Sequence, residues 1–265
     1  MAVDAATLGL LPVLAAQGAR LLRAIPEIPE ADGPREGVVT PAIGPSSRPR
    51  RLLVLGESTA VGVGAASQEL GLAGQLAEAL ATALGAAICW QVVGRSGLTA
   101  AAARRELLPL VPAWSATDAL DVTVVVLGVN DTKGLRSAGR WRRDMSALLD
   151  DLDARAAPAL VVCTGVPPMR DFPRLPRPLR DVLGARSRLL DAELHQLAVA
   201  RRNLLHVPFD LPIAASLFCR DGFHPGELGY QRWAELLAGA IVARAARAAQ
   251  DDAEVTVSAA GVASP

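Results

Sequence analysis

The 265-residue chain predicts an open α/β fold built on a parallel sheet. Three observations carry that expectation. Five apolar, strand-like runs alternate with helical stretches, the pattern of strands joined by right-handed crossovers. One of them, Val122–Leu127, is an unbroken and largely β-branched run, as expected of a central parallel strand buried on both faces. No internal repeat interrupts the alternation.

Taken in order, the chain opens on an uncharged stretch, Ala5–Ala19, too short to span a bilayer comfortably. Leu8, Leu11, Ala15, Gly18 and Leu22 recur at helical spacing, with Arg20 and Arg23 following. The start Met1-Ala2-Val3-Asp4 lacks the basic n-region of a signal peptide. The reading favoured is a helix packed on the protein or lying on a membrane, with a cleaved signal as the alternative. Residues 26–50 carry Pro26, Pro29, Pro34, Pro41, Pro45 and Pro49 among glycines and charges, which reads as an irregular connector. The first strand is Leu52–Leu55, followed by a helix around Gln68–Leu84. Ile88–Val93 is the second strand and Leu98–Leu108 a helix; Val122–Leu127 is the third strand and Trp141–Ala154 a helix. Leu160–Thr164 makes the fourth strand, Arg186–Arg201 a long helix and Leu204–Val207 a short fifth strand. A final helix is expected over Pro225–Ala246. The chain thus divides into an arm and connector (1–49), a catalytic domain (50–249) and a small, polar, flexible tail (250–265).

Composition excludes several function classes. Hydrophobic residues make up 51% of the chain, ample for a buried core. The 27 basic and 27 acidic residues cancel, so nothing suggests a polyanion, and 3% aromatics argues against base-stacking platforms; no nucleic-acid partner is expected. Cys89, Cys163 and Cys219 are far apart and form no CxxC or Cys/His ligand spacing, so no structural zinc site is expected. Cys89 and Cys163 sit inside apolar runs and read as small buried hydrophobes. The mild inference is a reducing, cytoplasmic location with peripheral membrane contact through the N-terminal helix; secretion is disfavoured.

The chemistry lies at the carboxyl ends of the strands, where open α/β sheets build their sites. Ser58 follows the first strand through Gly56-Glu57, Ser96-Gly97 follows the second, and Gly128-Val129-Asn130-Asp131 follows the third. Asp221-Gly222-Phe223-His224-Pro225 falls at the start of the expected last helix. The chain has three histidines, and of these only His224 has a carboxylate placed three residues before it; His195 and His206 read as structural. Acyl-bond hydrolysis needs a nucleophile, a base and donors aimed at the developing oxyanion. Ser58 supplies an attacking hydroxyl and, at a helix N-terminus, its own N–H. Gly97 has no Cβ to hold off substrate from its N–H, and Asn130 offers a side-chain amide. Taken singly, each has a plainer reading: Ser58 as an N-cap, Gly94 and Gly97 as turn formers, Asn130 and Asp131 as turn or cap residues. Three other motifs fail. Gly56–Gly62 lacks the Lys-Ser/Thr of a P-loop, residue 60 is Ala where Gly-x-Ser-x-Gly needs Gly, and the three-glycine dinucleotide fingerprint is missing.

Together these residues resemble the SGNH hydrolase (GDSL esterase/lipase) family. Gly56-Glu57-Ser58 is similar to its first block, Ser96-Gly97 to its second, Gly128-Val129-Asn130-Asp131 to its GxND block and Asp221–Pro225 to its DxxHP block. The match runs in the family's order over about residues 50 to 246. The resemblance implies a flavodoxin-like, three-layer α/β/α fold with a five-stranded parallel sheet of order 2-1-3-4-5, and no metal or organic cofactor. It implies a catalytic Ser58, Asp221 and His224, with Ser58, Gly97 and Asn130 as oxyanion donors. The expected activity is hydrolysis of a small-molecule carboxylic ester of small or medium acyl chain through an acyl-enzyme. A carbohydrate O-deacetylase, lysophospholipase or thioesterase would use the same site; an idle binding module is disfavoured because every chemical position is filled. Glu57 departs from the family's Asp and is expected to change the local hydrogen bonds without abolishing activity. In the Pro/Arg-rich loop from Val166 to Arg180, Met169, Phe172 and Leu175 suit an acyl chain and Arg170, Arg174 and Arg177 an anionic head group, the alternative being a solvated surface loop. The arm lies outside the resemblance, and its removal is expected to leave the catalytic centre competent.

Overall fold

The computed structural model describes residues 5–24, 26–42, 48–114 and 119–261, so Met1–Asp4, Pro45 and the last four residues of the expected tail lie outside the described residues. Its strands are β1 (Glu36–Val39), β2 (Arg50–Gly56), β3 (Ile88–Gly94), β4 (Val122–Val126), β5 (Leu160–Thr164) and β6 (Leu204–Val207). Its helices are α1 (Ala5–Ala24), α2 (Leu72–Leu84), α3 (Ala100–Glu106), α4 (Val129–Lys133), α5 (Ala138–Ala156), α6 (Leu179–Val199) and α7 (Glu227–Gly261).

The strands form one sheet in the order β1-β3-β2-β4-β5-β6. Strands β2 to β6 pair in parallel and reproduce the predicted 2-1-3-4-5 order. The sixth strand corrects the five-strand expectation: β1 pairs antiparallel with β3, Gly37 opposite Trp90, at the sheet edge. It comes from the connector that reads as irregular in sequence.

Alternate residues of the central strands serve two cores, which is why those strands read as continuous apolar runs. Leu53 and Leu55 pack with α3, α5 and α6, while Leu52 and Val54 pack with α2 and α7. Each such fully buried side chain contributes roughly 1.5–3 kcal/mol. Cys163 belongs to the first core, where burial pushes its thiol up to about 12, whereas Cys89 is only half-buried; all three cysteines are free.

A third cluster docks the arm. Leu14 of α1 packs against Met169, Phe172, Leu175, Leu179 and Leu183. Gln17 donates from Nε2 to Arg177 O at 2.7 Å and accepts the Leu179 N–H at 3.1 Å, satisfying a free donor at the start of α6. The docked stripe therefore runs through Leu14, Gln17 and Leu21. Leu11 and Ala15 of the predicted face are exposed, and the side chains of Leu8 and Leu22 lie outside the described residues. Among the described residues no helix is long and apolar enough to cross a membrane. At the other end α7 continues to Gly261, well into the segment expected to be a flexible tail.

Candidate active site

At the C-terminal end of β2 the chain does not enter a helix. Glu57 N–H donates to Val126 O, and residues 58–64 form a compact turn closed by Val63 N–H to Ser58 O at 3.0 Å; α2 begins only at Leu72. Ser58 thus sits in a turn, and the expected helix N-terminus at its own N–H is absent. Asp221 and His224 likewise precede α7 and do not begin it. They occupy a turn stapled by a Phe218–Pro225 bridge and by Cys219 N–H to His224 O at 2.9 Å. The turn needs a left-handed residue, supplied by Gly222 at φ +64°.

This turn carries the imidazole to Ser58. His224 Nε2 lies 3.1 Å from Ser58 Oγ, and His224 Nδ1 lies 2.6 Å from Asp221 Oδ2. Asp221 is fully buried, and its other oxygen accepts from Phe223 N–H (2.7 Å), His224 N–H (2.9 Å) and Cys219 Sγ (3.1 Å). Burial alone would raise its pKa, but the bonds from His224, Cys219 and the two N–H groups together hold it at about 2. It is therefore ionised at neutral pH. The other histidines stay with α6 and β6: His206 Nε2 lies 2.8 Å from Asp191 Oδ1, and His195 packs edge-on against His206.

The β3–α3 loop and α4 complete the site. Gly97 adopts φ +84°, in the region that favours glycine, and it lines the same cleft as Ser58 and Asn130. The Asn130 amide donates to the Glu57 carboxylate and to Leu98 O, the latter at 3.2 Å. Both protons of that amide are thus engaged, so it reaches a new acceptor by sharing one or by releasing Glu57. Burial pushes Glu57 up to about 7, against the pull of Lys133 and the Asn130 and Val129 N–H groups. The Glu57 carboxylate braces the start of α4. Asp131, also buried, accepts the Ala100 N–H at 2.9 Å and ties α4 to the first turn of α3; burial raises its pKa to about 6.

Two cavities meet at Ser58 and His224. One is enclosed, about 50 Å³, and lined by Thr164, Pro167, Phe172, Phe218, Phe223 and Trp233. The other is an open cleft of about 420 Å³ lined by Gly97, Asn130 and Lys133 and by the arm residues Leu21, Pro26, Glu27 and Ile28. The arm is thus a wall of the cleft. Nothing in the sequence signals this, because prolines and charges there look like a linker. Of the Val166–Arg180 loop, Phe172 reaches the small cavity, while Met169 and Leu175 are core residues beneath it. Arg170 and Arg177 lie 3.9 and 3.6 Å from Asp181, and Arg174 donates to Arg220 O at 3.4 Å. Among the described residues no group of three His, Cys, Asp or Glu side chains is placed to hold a metal ion.

Sequence and fold are both similar to those of known proteins. The model of the GDSL-like lipase/acylhydrolase family matches residues 54–232. A GDSL-like esterase of Mycobacterium tuberculosis is 27% identical over 246 residues, covering 88% of this chain and 76% of that protein. The lipase/acylhydrolase of Enterococcus faecalis shares the fold at a TM-score of 0.55 and 18% identity, over 74% of this chain and 96% of that one. A family 3 carbohydrate esterase of Clostridium thermocellum does so at 0.55 and 17%, over 73% and 96%. With more than half of its length matched by the family model, the chain belongs to the GDSL-like lipase/acylhydrolases, a family of carboxylic ester hydrolases.

Proposed function

We propose that the protein hydrolyses esters of short to medium acyl chains through an acyl-enzyme on Ser58. The observation that carries this reading is the unbroken relay from Asp221 through His224 to the Ser58 hydroxyl. His224 takes the Ser58 proton as Oγ attacks the ester carbonyl, then gives it to the leaving alcohol; water repeats the cycle to release the acid. Asp221 holds the proton on Nδ1 and stabilises the imidazolium. The N–H groups of Ser58 and Gly97 and the Asn130 amide donate to the oxyanion.

The two cavities support the division of the substrate. An apolar acyl chain suits the 50 Å³ pocket, which holds about three to five water-sized groups at about 10–15 Å³ each. The alcohol takes the open cleft. A specific observation favours a second reading, deacetylation of a carbohydrate: that 420 Å³ cleft is wide and carries Glu27, Ser96, Asn130 and Lys133 as polar lining. The apolar Leu10, Leu11 and Val13, exposed on α1, support membrane-surface contact by the arm, with the protein held in the cytoplasm.

A panel of chromogenic esters from acetyl to palmitoyl, with acetylated sugars and acyl-thioesters, tests the proposal. Turnover that peaks at or below medium chain length and vanishes in Ser58→Ala supports it. Preference for palmitoyl over butyryl esters contradicts the chain-length assignment.

A further inference from the structure

We propose that Glu30, in the connector, is a positioning residue for the oxyanion donor Gly97, with Arg35 as its brace; this rests on the acyl-enzyme reading above. The loop Arg95–Gly97 is exposed, and a Cβ on Gly97 would meet nothing within 4 Å. Packing therefore does not hold it. Hydrogen bonds do. At one end Arg95 N–H donates to Gly56 O at 3.2 Å, and at the other Asn130 bonds Leu98 O. Between them, Ser96 N–H donates to Glu30 Oε1 at 2.9 Å.

Glu30 is itself fixed. Its second oxygen accepts from Arg35 Nη2 at 2.5 Å, while Arg35 Nη1 donates to Gly94 O at 2.8 Å. Glu30, Arg35, Gly94 and Ser96 thus close a ring of hydrogen bonds around Arg95, next to Gly97. The backbone carrying Glu30 is pinned on both sides. Ala31 N–H donates to Val61 O (3.1 Å), and Gln68 Nε2 donates to Ala31 O (3.0 Å) and to Val61 O (3.1 Å). Val92 N–H donates to Arg35 O at 2.7 Å. Residues 30–35 therefore link the turn behind Ser58 to the loop holding Gly97. That is the pair of segments whose relative placement sets the oxyanion geometry.

Arg35 has a second role. A bare carboxylate near the oxyanion would oppose the charge that develops there, and the guanidinium cancels it. Glu30 without Arg35 is then harmful, and Arg35 without Glu30 keeps only its bond to Gly94 O. The two act as a unit, so their effects on turnover are not additive.

Wild type, Glu30→Ala, Glu30→Gln, Arg35→Ala, the double Ala variant and Ser58→Ala are compared with a butyryl ester. The inhibition constant of a small alkylboronic acid, which forms a tetrahedral adduct on the serine, is measured in parallel. Losing a donor outright costs about 10²–10³ in turnover, and a 1 Å displacement about 10². Glu30→Ala is expected to lower kcat roughly tenfold to a hundredfold with KM within about twofold. Glu30→Gln, which keeps an acceptor for Ser96, falls between, and the double variant loses less than the product of the singles. Boronate binding weakens in step with kcat/KM, a change that a purely structural role does not make. Glu30→Ala within twofold of wild type in kcat, a loss confined to KM, or unchanged boronate binding overturns the proposal. Ser58→Ala separates the two claims. Turnover lost there but intact in Glu30→Ala rejects only the positioning role, and turnover intact in both rejects the acyl-enzyme as well. Should Glu30→Ala fail to fold, Arg35→Ala, which frees Glu30 from its brace, is read against the same overturning results.

Discussion

Replacing Phe218 by Ala tests whether the enclosed cavity is the acyl pocket. Phe218 lines that 50 Å³ cavity and also a neighbouring one of about 30 Å³, and Phe209, Pro225 and Trp233 are shared with it. The Phe218 ring, packed edge-on to Phe172 at 5.5 Å, is part of the partition between them. Its half-buried position keeps the cost of truncation below the 3–5 kcal/mol typical of a core Phe→Ala change. Phe218→Ala merges the two spaces and adds the volume of the lost ring. An octanoyl chain then buries about three more methylenes than a butyryl chain can use. At about 0.8 kcal/mol each that amounts to ~2.4 kcal/mol, or a roughly 60-fold rise in the octanoyl-to-butyryl ratio of kcat/KM. The assay is initial rates with nitrophenyl esters from acetyl to decanoyl on folded wild type and variant. A ratio unchanged within threefold refutes the assignment of the acyl chain to this cavity.

Other perturbations probe the remaining parts. Asn130→Ala is expected to lower kcat by about 10²–10³ with an unchanged circular dichroism spectrum; an effect on KM alone means the amide only binds substrate. His224→Ala should be nearly inactive across a pH–rate series, whereas Asp221→Ala, which leaves the imidazole held by its short turn, should keep measurable turnover; equal loss in both would make Asp221 as indispensable as the base. Glu57, raised to about 7 from 4.5, favours its protonated form in the folded state. Its contribution is therefore full below about pH 4.5 and is lost as pH rises through 7, on the order of 3 kcal/mol. Urea unfolding of wild type should show this decline relative to Glu57→Gln, and parallel pH curves would contradict it. Deleting residues 1–49 removes β1 and the arm side of the cleft, so the truncated protein is expected to lose most ester turnover; full activity would mean the arm is a bystander.

The parallel core was legible because burial on both faces leaves a one-dimensional trace. Leu52–Leu55, Val124–Leu127 and Leu160–Cys163 are apolar at consecutive positions, and no amphipathic alternation confuses them. Strand β1 left no such trace. Its four residues sit at an edge, with Val38 64% exposed, and prolines and charges surround them. The start of α2 is hidden in the sequence because Gln68 has a tertiary task. Gln68 looks helical by composition, but its side chain and backbone bind Ala31, Val61 and Asp32, and α2 begins after it. The site residues themselves were legible because Ser58, Gly97, Asn130, Asp221 and His224 lie in short local blocks. What surrounds them was not: Glu30 and Ile28 reach the site through folding of the connector, and Phe218 and Trp233 through the turn before α7. Contacts between residues distant in sequence have no local pattern to read.

The central claim is that Ser58 is the covalent nucleophile, activated by His224. Incubation of the intact protein with an organophosphonate probe, followed by proteolysis and mass spectrometry, tests it most directly. One label per chain on the peptide containing Ser58, blocked in Ser58→Ala and slowed in His224→Ala, is the predicted result. A label on another serine, or full ester turnover in Ser58→Ala, contradicts it.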